Sequence, residues 1–90
     1  MASGGSVVVH DIDSLETYMG VLQAKRDELE GLYGVLNAET SNQGGNWQDP
    51  QYDYLKELID NFSSSAQGQL GELDDSINYI SGLIAKLRDL

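Results

Sequence analysis

The side chains best able to do chemistry in this sequence are carboxylates. Asp53, Glu57 and Asp60 lie three and four residues apart, a spacing that places them on one face of a helix. A carboxylate-bridged pair of metal ions in a helical bundle also needs a Glu-x-x-His pair, and the sequence contains none. The pattern therefore favours a solvated acidic helix face over a dimetal centre.

A second acidic group, Glu72, Asp74 and Asp75, lacks the glycine turn and alternating oxygen ligands of a calcium loop. His10 is the single histidine, and the absence of cysteine removes disulfides, thiol nucleophiles and cysteine zinc sites. The sequence offers no nucleophile paired with a base and no glycine-rich phosphate loop leading into a helix. We therefore expect a non-enzymatic protein without a cofactor or a metal ion.

The charge of the chain restricts its partners. Fifteen Asp and Glu oppose five Lys and Arg, for a formal charge of -10. Nucleic acids and anionic membranes attract clusters of Lys and Arg, so we expect neither as a partner. No apolar run approaches the roughly 20 residues that span a bilayer, so we expect no membrane insertion. Residues 1–6 lack the segments of a secretory signal peptide, and we treat them as a flexible tail outside the fold.

The first element that must position these side chains is an amphipathic helix. Apolar residues recur every seven positions, with others at spacings of three and four, which is the pattern of a helix with one buried face. Asp11, Asp13 or Ser14 is expected to cap its start. Lys25 and Arg26 interrupt the stripe, and their long stems are expected to lie across a groove. The seven-residue column is Val8, Leu15, Leu22, Leu29 and Leu36.

A polar turn and a strong helix start follow. The apolar pattern stops at Asn37, and the eight residues from Glu39 to Asn46 include no apolar member, which indicates a turn. Asp49 can accept hydrogen bonds from the free amides of a first helical turn. Pro50, at the first helical position, loses nothing by lacking an N–H. The two residues together predict a helix that starts here.

The second helix keeps one seven-residue phase to the end of the chain. Residues 61–71 are rich in Ser, Gly and Gln and look locally like a loop, but the phase persists across them. We predict one helix with a weak middle, and a break within this segment is the alternative. The chain then forms a single domain with helices over about 9–38 and 49–89 and a turn over about 39–48. The second column is Tyr52, Ile59, Ala66, Leu73, Ile80 and Leu87.

Two helices leave apolar surface uncovered. Each stripe is three columns wide, and a single neighbouring helix covers about two columns. The second predicted helix is also longer than the first. Unless Val7 to Val9 and the tail fold back, the residues expected to overhang are Ile80, Leu83, Ile84, Leu87 and Leu90. We predict an all-α, two-helix antiparallel hairpin that closes into a four-helix bundle on dimerisation. The predicted dimer or partner interface consists of Leu15, Leu22, Leu29, Leu36, Ile59, Phe62, Leu73, Ile77, Ile80, Ile84 and Leu87.

The turn gives the chain a family resemblance. Gly44-Gly45-Asn46-Trp47-Gln48-Asp49 lies between two heptad-patterned helices, and this arrangement resembles the WXG-like (Esx-like) helical hairpin proteins of type VII secretion systems over essentially Val7 to Leu90. Trp47 and Asp49 match the Trp-x-Asp variant of that superfamily's turn motif. Asp in place of Gly points toward divergent relatives, such as the small helical partners of large secreted effectors. The Tyr-x-x-x-Asp/Glu tail signal of some branches is missing.

The resemblance implies a bacterial cytoplasmic protein that is exported without a cleaved signal peptide, or one that targets a larger effector. Its implied partners are a second copy or a related hairpin, an effector's helical domain and a type VII secretion ATPase. Trp47 and Asp49 would then serve export recognition. The alternative is a structural or adaptor coiled-coil module unrelated to secretion, in which Trp47 only plugs the hairpin end over Leu36 and Leu55.

Overall fold

The computed structural model describes residues 8–90 as two long antiparallel helices joined by a short turn. Helix α1 spans Ile12–Asn42, a 3-10 turn spans Gln43–Gly45, and helix α2 spans Pro50–Arg88. The two helices pack against each other, and residues 8–90 contain no strand. The all-α hairpin predicted from the sequence is confirmed. The predicted tail, residues 1–6, lies outside the described residues.

Helix α1 begins later and ends later than the apolar pattern indicates. Asp11 is its cap: the backbone there is extended, and Oδ1 accepts a hydrogen bond from the Ser14 amide at 3.1 Å. The helix therefore starts at Ile12, after the cap. At the other end it continues to Asn42, four residues beyond the predicted limit of 38, because polar residues sustain backbone hydrogen bonds after the buried stripe has ended.

Helix α2 starts where its cap predicts. Asp49 is extended, and its Oδ1 accepts hydrogen bonds from the amides of Gln51 at 2.8 Å and Tyr52 at 3.2 Å. Residues 61–71 are helical throughout, so the alternative of a break is excluded. Ala66 and Leu70, in this weak segment, are among the most buried side chains. Their packing against α1 offsets the low helix propensity of the neighbouring Gly and Ser residues.

The expected overhang of Ile80 to Leu90 is wrong. Arg88, the last residue of α2, donates a hydrogen bond to Asp13 in the first turn of α1 at 3.0 Å, and Ile84 is buried. The two helices end level because α1 extends to Asn42 and the turn adds further length. The molecule is a rod of 62 × 24 × 15 Å.

The core of the rod is thin and one-sided. Five apolar side chains of α2 are buried, and no residue of α1 is. A helix with a single neighbour keeps part of its apolar stripe in contact with water, as the width of the stripes predicted. The buried side chains are Tyr52, Ala66, Leu70, Ile77 and Ile84.

Candidate functional site

One side of the hairpin, which we call the polar side, carries the ion pairs between the helices. Arg26 on α1 uses Nε and Nη2 to reach both carboxylate oxygens of Asp74 on α2, at 2.8 and 3.2 Å, and its Nη1 donates to Glu30 at 2.9 Å. The Arg26 side chain is only 16% exposed. Its hydrogen bonds to Asp74 and then to Glu30 raise the pKa of Arg26 above its ordinary value.

The polar side continues along the full length of the rod. Near the turn, Ser63 Oγ donates to Asn37 Oδ1 at 2.6 Å; at the open end, Arg88 contacts Asp13 and Glu16 at 3.0 and 3.5 Å. These contacts set the rotation of each helix about its own axis. Sequence reasoning missed the Arg26–Asp74 pair because 48 residues separate its members.

The acidic groups singled out in the sequence are partly paired. Asp60 accepts a hydrogen bond from Lys56 at 3.0 Å, and this contact raises the pKa of Lys56. Asp74 belongs to the Arg26 pair described above. Across residues 8–90, no three His, Cys, Asp or Glu side chains are grouped so that they could hold a metal ion.

The opposite side of the hairpin, the apolar flank, carries large apolar side chains that are 37–72% exposed. Helix geometry of about 100° per residue, anchored on the Arg26–Asp74 contact, turns most of them to this side and places Val35 and Tyr54 at its outer margins, on the backs of the two helices. Phe62 marks the edge of the flank, where its ring packs edge-on against Tyr33 at a centroid distance of 5.7 Å. The flank consists of Tyr18, Val21, Leu32, Val35, Leu36, Tyr54, Leu58, Phe62 and Tyr79.

An open cleft interrupts the apolar flank near the middle of the rod. It has a volume of about 360 Å³, and Leu29 and Tyr33 of α1 line it together with Leu70 and Leu73 of α2. Gln69, Glu72 and Ser76 complete its rim. The cleft is an open groove between the two helices, apolar at its base and polar at its rim.

The residues predicted to form a dimer or partner interface fall into two groups, one on the apolar flank and one in the seam between the two helices. Leu36 and Phe62 lie on the exposed apolar flank. The other nine are buried or half-buried in the seam between α1 and α2 of the same chain. The helix-to-helix packing within the hairpin uses these residues, and their contact with a partner stays a prediction. The nine seam residues are Leu15, Leu22, Leu29, Ile59, Leu73, Ile77, Ile80, Ile84 and Leu87.

Trp47 lies half-buried in the turn. Its amide donates to the Gln43 carbonyl at 2.7 Å, and its indole packs edge-on against the Tyr52 ring at a centroid distance of 5.7 Å. Tyr52 is in turn buried, and its hydroxyl donates to the Thr40 carbonyl at 2.8 Å. A residue of α2 therefore supports the indole and is itself tied to the end of α1.

A shallow depression opens beside the indole. Gly44, Asp49, Pro50 and Asp53 line it together with the two aromatic rings. The Gly44 position is crowded, since a Cβ there would lie 3.2 Å from the Tyr52 hydroxyl. The turn thus presents an indole whose orientation is held from one side and whose other side is accessible. The importance of Tyr52 to this arrangement was not foreseen from the sequence, which showed it only as one member of the α2 column.

Neither helix within residues 8–90 contains a stretch long and apolar enough to cross a membrane. Comparison of the chain with protein-family models, with curated proteins and with solved structures finds no match. The Trp47 turn and the two unlike sides of the hairpin are therefore the features of this molecule that bear on its function.

Proposed function

We propose that this chain is a non-enzymatic helical-hairpin protein of the type VII secretion class. It would act as a dimer, either as a small exported substrate or as the targeting partner of a larger secreted effector. The observation that carries the proposal is the geometry of Trp47, whose half-buried indole rests on Tyr52 in the turn between two long helices. Such a ring offers a recognition surface at a fixed position.

The spacing of the turn motif has a physical basis. Asp49 caps α2 through two amide hydrogen bonds. Trp47, two residues before this cap, is therefore held close to the start of the helix. The Tyr52 ring comes from the first turn of the same helix and supports the indole. In this turn the indole is therefore held against Tyr52 at the start of α2. Preorganised side chains bind partners with less loss of conformational entropy.

The partners we propose are helical proteins. A second copy or a related hairpin would cover the apolar flank, and an effector's helical domain or a type VII secretion ATPase would contact the Trp47 turn. The charge of -10 opposes association with nucleic acid. We place the protein in the bacterial cytoplasm before export.

A structural or adaptor module is the second candidate. Its support is the apolar flank, which would serve any helical assembly, together with the edge-on contact between Trp47 and Tyr52, which gives the indole a packing role. The genes beside this one separate the candidates. A neighbouring secretion ATPase or effector gene favours secretion, and the absence of both in all related genomes would contradict it.

The direct test is export of Trp47→Ala from the native host, followed by immunoblotting of cells and medium. We expect export to be lost while the purified variant stays folded, because a half-buried indole loses only part of the roughly 3–5 kcal/mol that truncating a fully buried large aromatic costs. Gln67→Ala, an exposed position on α2 away from the turn, is the control and should be exported normally. A stable Trp47→Ala protein exported at the normal level would remove the functional basis of the motif.

A further inference from the structure

The depression beside the Trp47 indole, which we call the turn depression, carries negative charge without a counter-ion. Asp49 and Asp53 line it together with two aromatic rings, and both of these acidic residues are exposed. Within residues 8–90, neither of them forms a salt bridge. Lys56, the next cation along α2, is paired with a different carboxylate of the same helix at 3.0 Å. The negative charge of the turn depression is therefore available to a ligand.

The start of α2, over residues 50–53, has no free amide that could bind an anion instead. Pro50 lacks an N–H. The amides of Gln51 and Tyr52 donate to Asp49 Oδ1 at 2.8 and 3.2 Å, and the Asp53 amide donates to the carbonyl of the same cap residue at 3.3 Å. The helix dipole favours negative charge at this end, and the cap carboxylate already supplies it. The turn depression therefore favours a cation over an anion.

The indole is held in place before any ligand arrives. The Trp47 amide donates to the Gln43 carbonyl at 2.7 Å. The next side chain, Gln48, donates from Nε2 to the Gly44 carbonyl at 3.2 Å. The Tyr52 ring packs edge-on against the indole at a centroid distance of 5.7 Å. Tryptophan is the aromatic residue that attracts cations most strongly, and a ring fixed in this way loses little conformational entropy when a cation binds to it.

The turn depression suits an arginine side chain better than a lysine side chain. Its volume is about 360 Å³. A guanidinium is planar, so it can stack on the Trp47 ring while its N–H groups reach a carboxylate that lines the same depression. The ammonium of lysine is a more strongly hydrated point charge, so it loses more on leaving water. The charge of -10 also attracts cationic segments of other proteins.

From these observations we propose that the turn depression binds an arginine side chain of a partner protein, with the guanidinium stacked on Trp47 and paired with Asp53. Asp49 is already engaged as the cap of α2, so Asp53 is the carboxylate left to form this pair. The inference rests on the proposed function for the role of Trp47 in recognition, and it adds the chemistry of the side chain that is recognised.

Titration of the purified chain with N-acetyl-arginine amide at constant ionic strength tests the ligand. Trp47 is the single tryptophan, so its fluorescence and its indole N–H signal in NMR spectra report on the turn depression. We expect a saturable change with a dissociation constant in the millimolar range, because one side chain makes few contacts.

Two related compounds test the role of the guanidinium. N-acetyl-citrulline amide has a similar shape without the charge and should bind about tenfold more weakly. N-acetyl-lysine amide should also bind more weakly than the arginine compound. The absence of a saturable change in both signals, or arginine binding no tighter than citrulline or lysine, would overturn the proposal.

Substitution of Asp53 tests the carboxylate. Asp53→Asn keeps the size of the side chain and removes its charge, so the dissociation constant for N-acetyl-arginine amide should rise about three- to fivefold, as for an exposed ion pair. Asp75→Asn removes the same charge from an exposed position of α2 far from the turn and should change the dissociation constant little. Equal effects of the two substitutions would mean that only the net charge attracts arginine, and would overturn the proposal.

These titrations use pure protein, so they separate the arginine site from the proposed function. Loss of export in Trp47→Ala without arginine binding by the wild type would overturn the arginine site and leave the proposed function in place. Arginine binding together with normal export of Trp47→Ala would support the site and remove the secretion role of the turn motif.

Discussion

The contact between Gly44 and Tyr52 yields a sharp prediction about the turn. Tyr52→Phe removes the hydroxyl that donates to the Thr40 carbonyl at 2.8 Å, in a side chain only 8% exposed. We expect it to lower the free energy of unfolding by about 0.5–1.5 kcal/mol, the net contribution of one such hydrogen bond.

Gly44→Ala should affect the stability of the wild type and of the Tyr52→Phe variant differently. No described glycine has a positive φ, so Ala fits the backbone and would stabilise by about 0.4–1 kcal/mol through the unfolded chain. In the wild type, however, its Cβ would lie 3.2 Å from the Tyr52 hydroxyl, which the Thr40 hydrogen bond holds in place. We therefore expect no gain, or a loss. In the Tyr52→Phe variant this oxygen is absent, and the nearest ring atom lies 3.5 Å from the added Cβ, an ordinary van der Waals contact. Gly44→Ala should therefore stabilise this variant.

Urea unfolding of the four proteins of this double-mutant cycle, followed by circular dichroism at one protein concentration, measures the coupling. We expect the double variant to be more stable than the sum of the single changes by about 1 kcal/mol, within the range for residues in contact. Gly45→Ala is the matched control, since nothing lies within 4 Å of its Cβ, and it should behave alike in both backgrounds. If Gly44→Ala stabilises the wild type as much as Gly45→Ala does, the crowding argument is refuted.

Four further substitutions test the core, the cap and the polar side. Leu70→Ala, at a residue only 2% exposed, should lower the free energy of unfolding in urea by about 2–5 kcal/mol. Leu29→Ala, at a half-buried residue, should lower it less. The reverse order would mean that a different face of α1 is packed. Asp49→Ala should cost about 0.5–2 kcal/mol by removing the α2 cap, and an unchanged unfolding midpoint would contradict that role. Asp74→Asn should lower the melting temperature by weakening the Arg26 contact, and the loss should shrink in 1 M NaCl; a loss independent of salt would indicate packing rather than charge.

Local signals in the sequence determined the elements and their caps. Asp49 and Pro50 mark the start of α2 because a cap bonds only to amides two or three residues ahead. Asp11 was one of three candidates for the α1 cap for the same reason. The seven-residue columns predicted two helices and showed that α2 runs through residues 61–71, since a loop would not need to keep their phase. Trp47 was recognised from its position in the turn, but its support by Tyr52 was not.

Only the tertiary structure decided which side of each helix faces the other. Each apolar stripe is wider than one neighbour covers, so the pattern alone permits several rotations of each helix about its axis. Long-range contacts such as Arg26–Asp74 and Ser63–Asn37 select one rotation, and with it the side that stays apolar and exposed. Nothing in the sequence near Arg26 identifies Asp74 as its partner, because such pairs form only after the chain has folded back on itself.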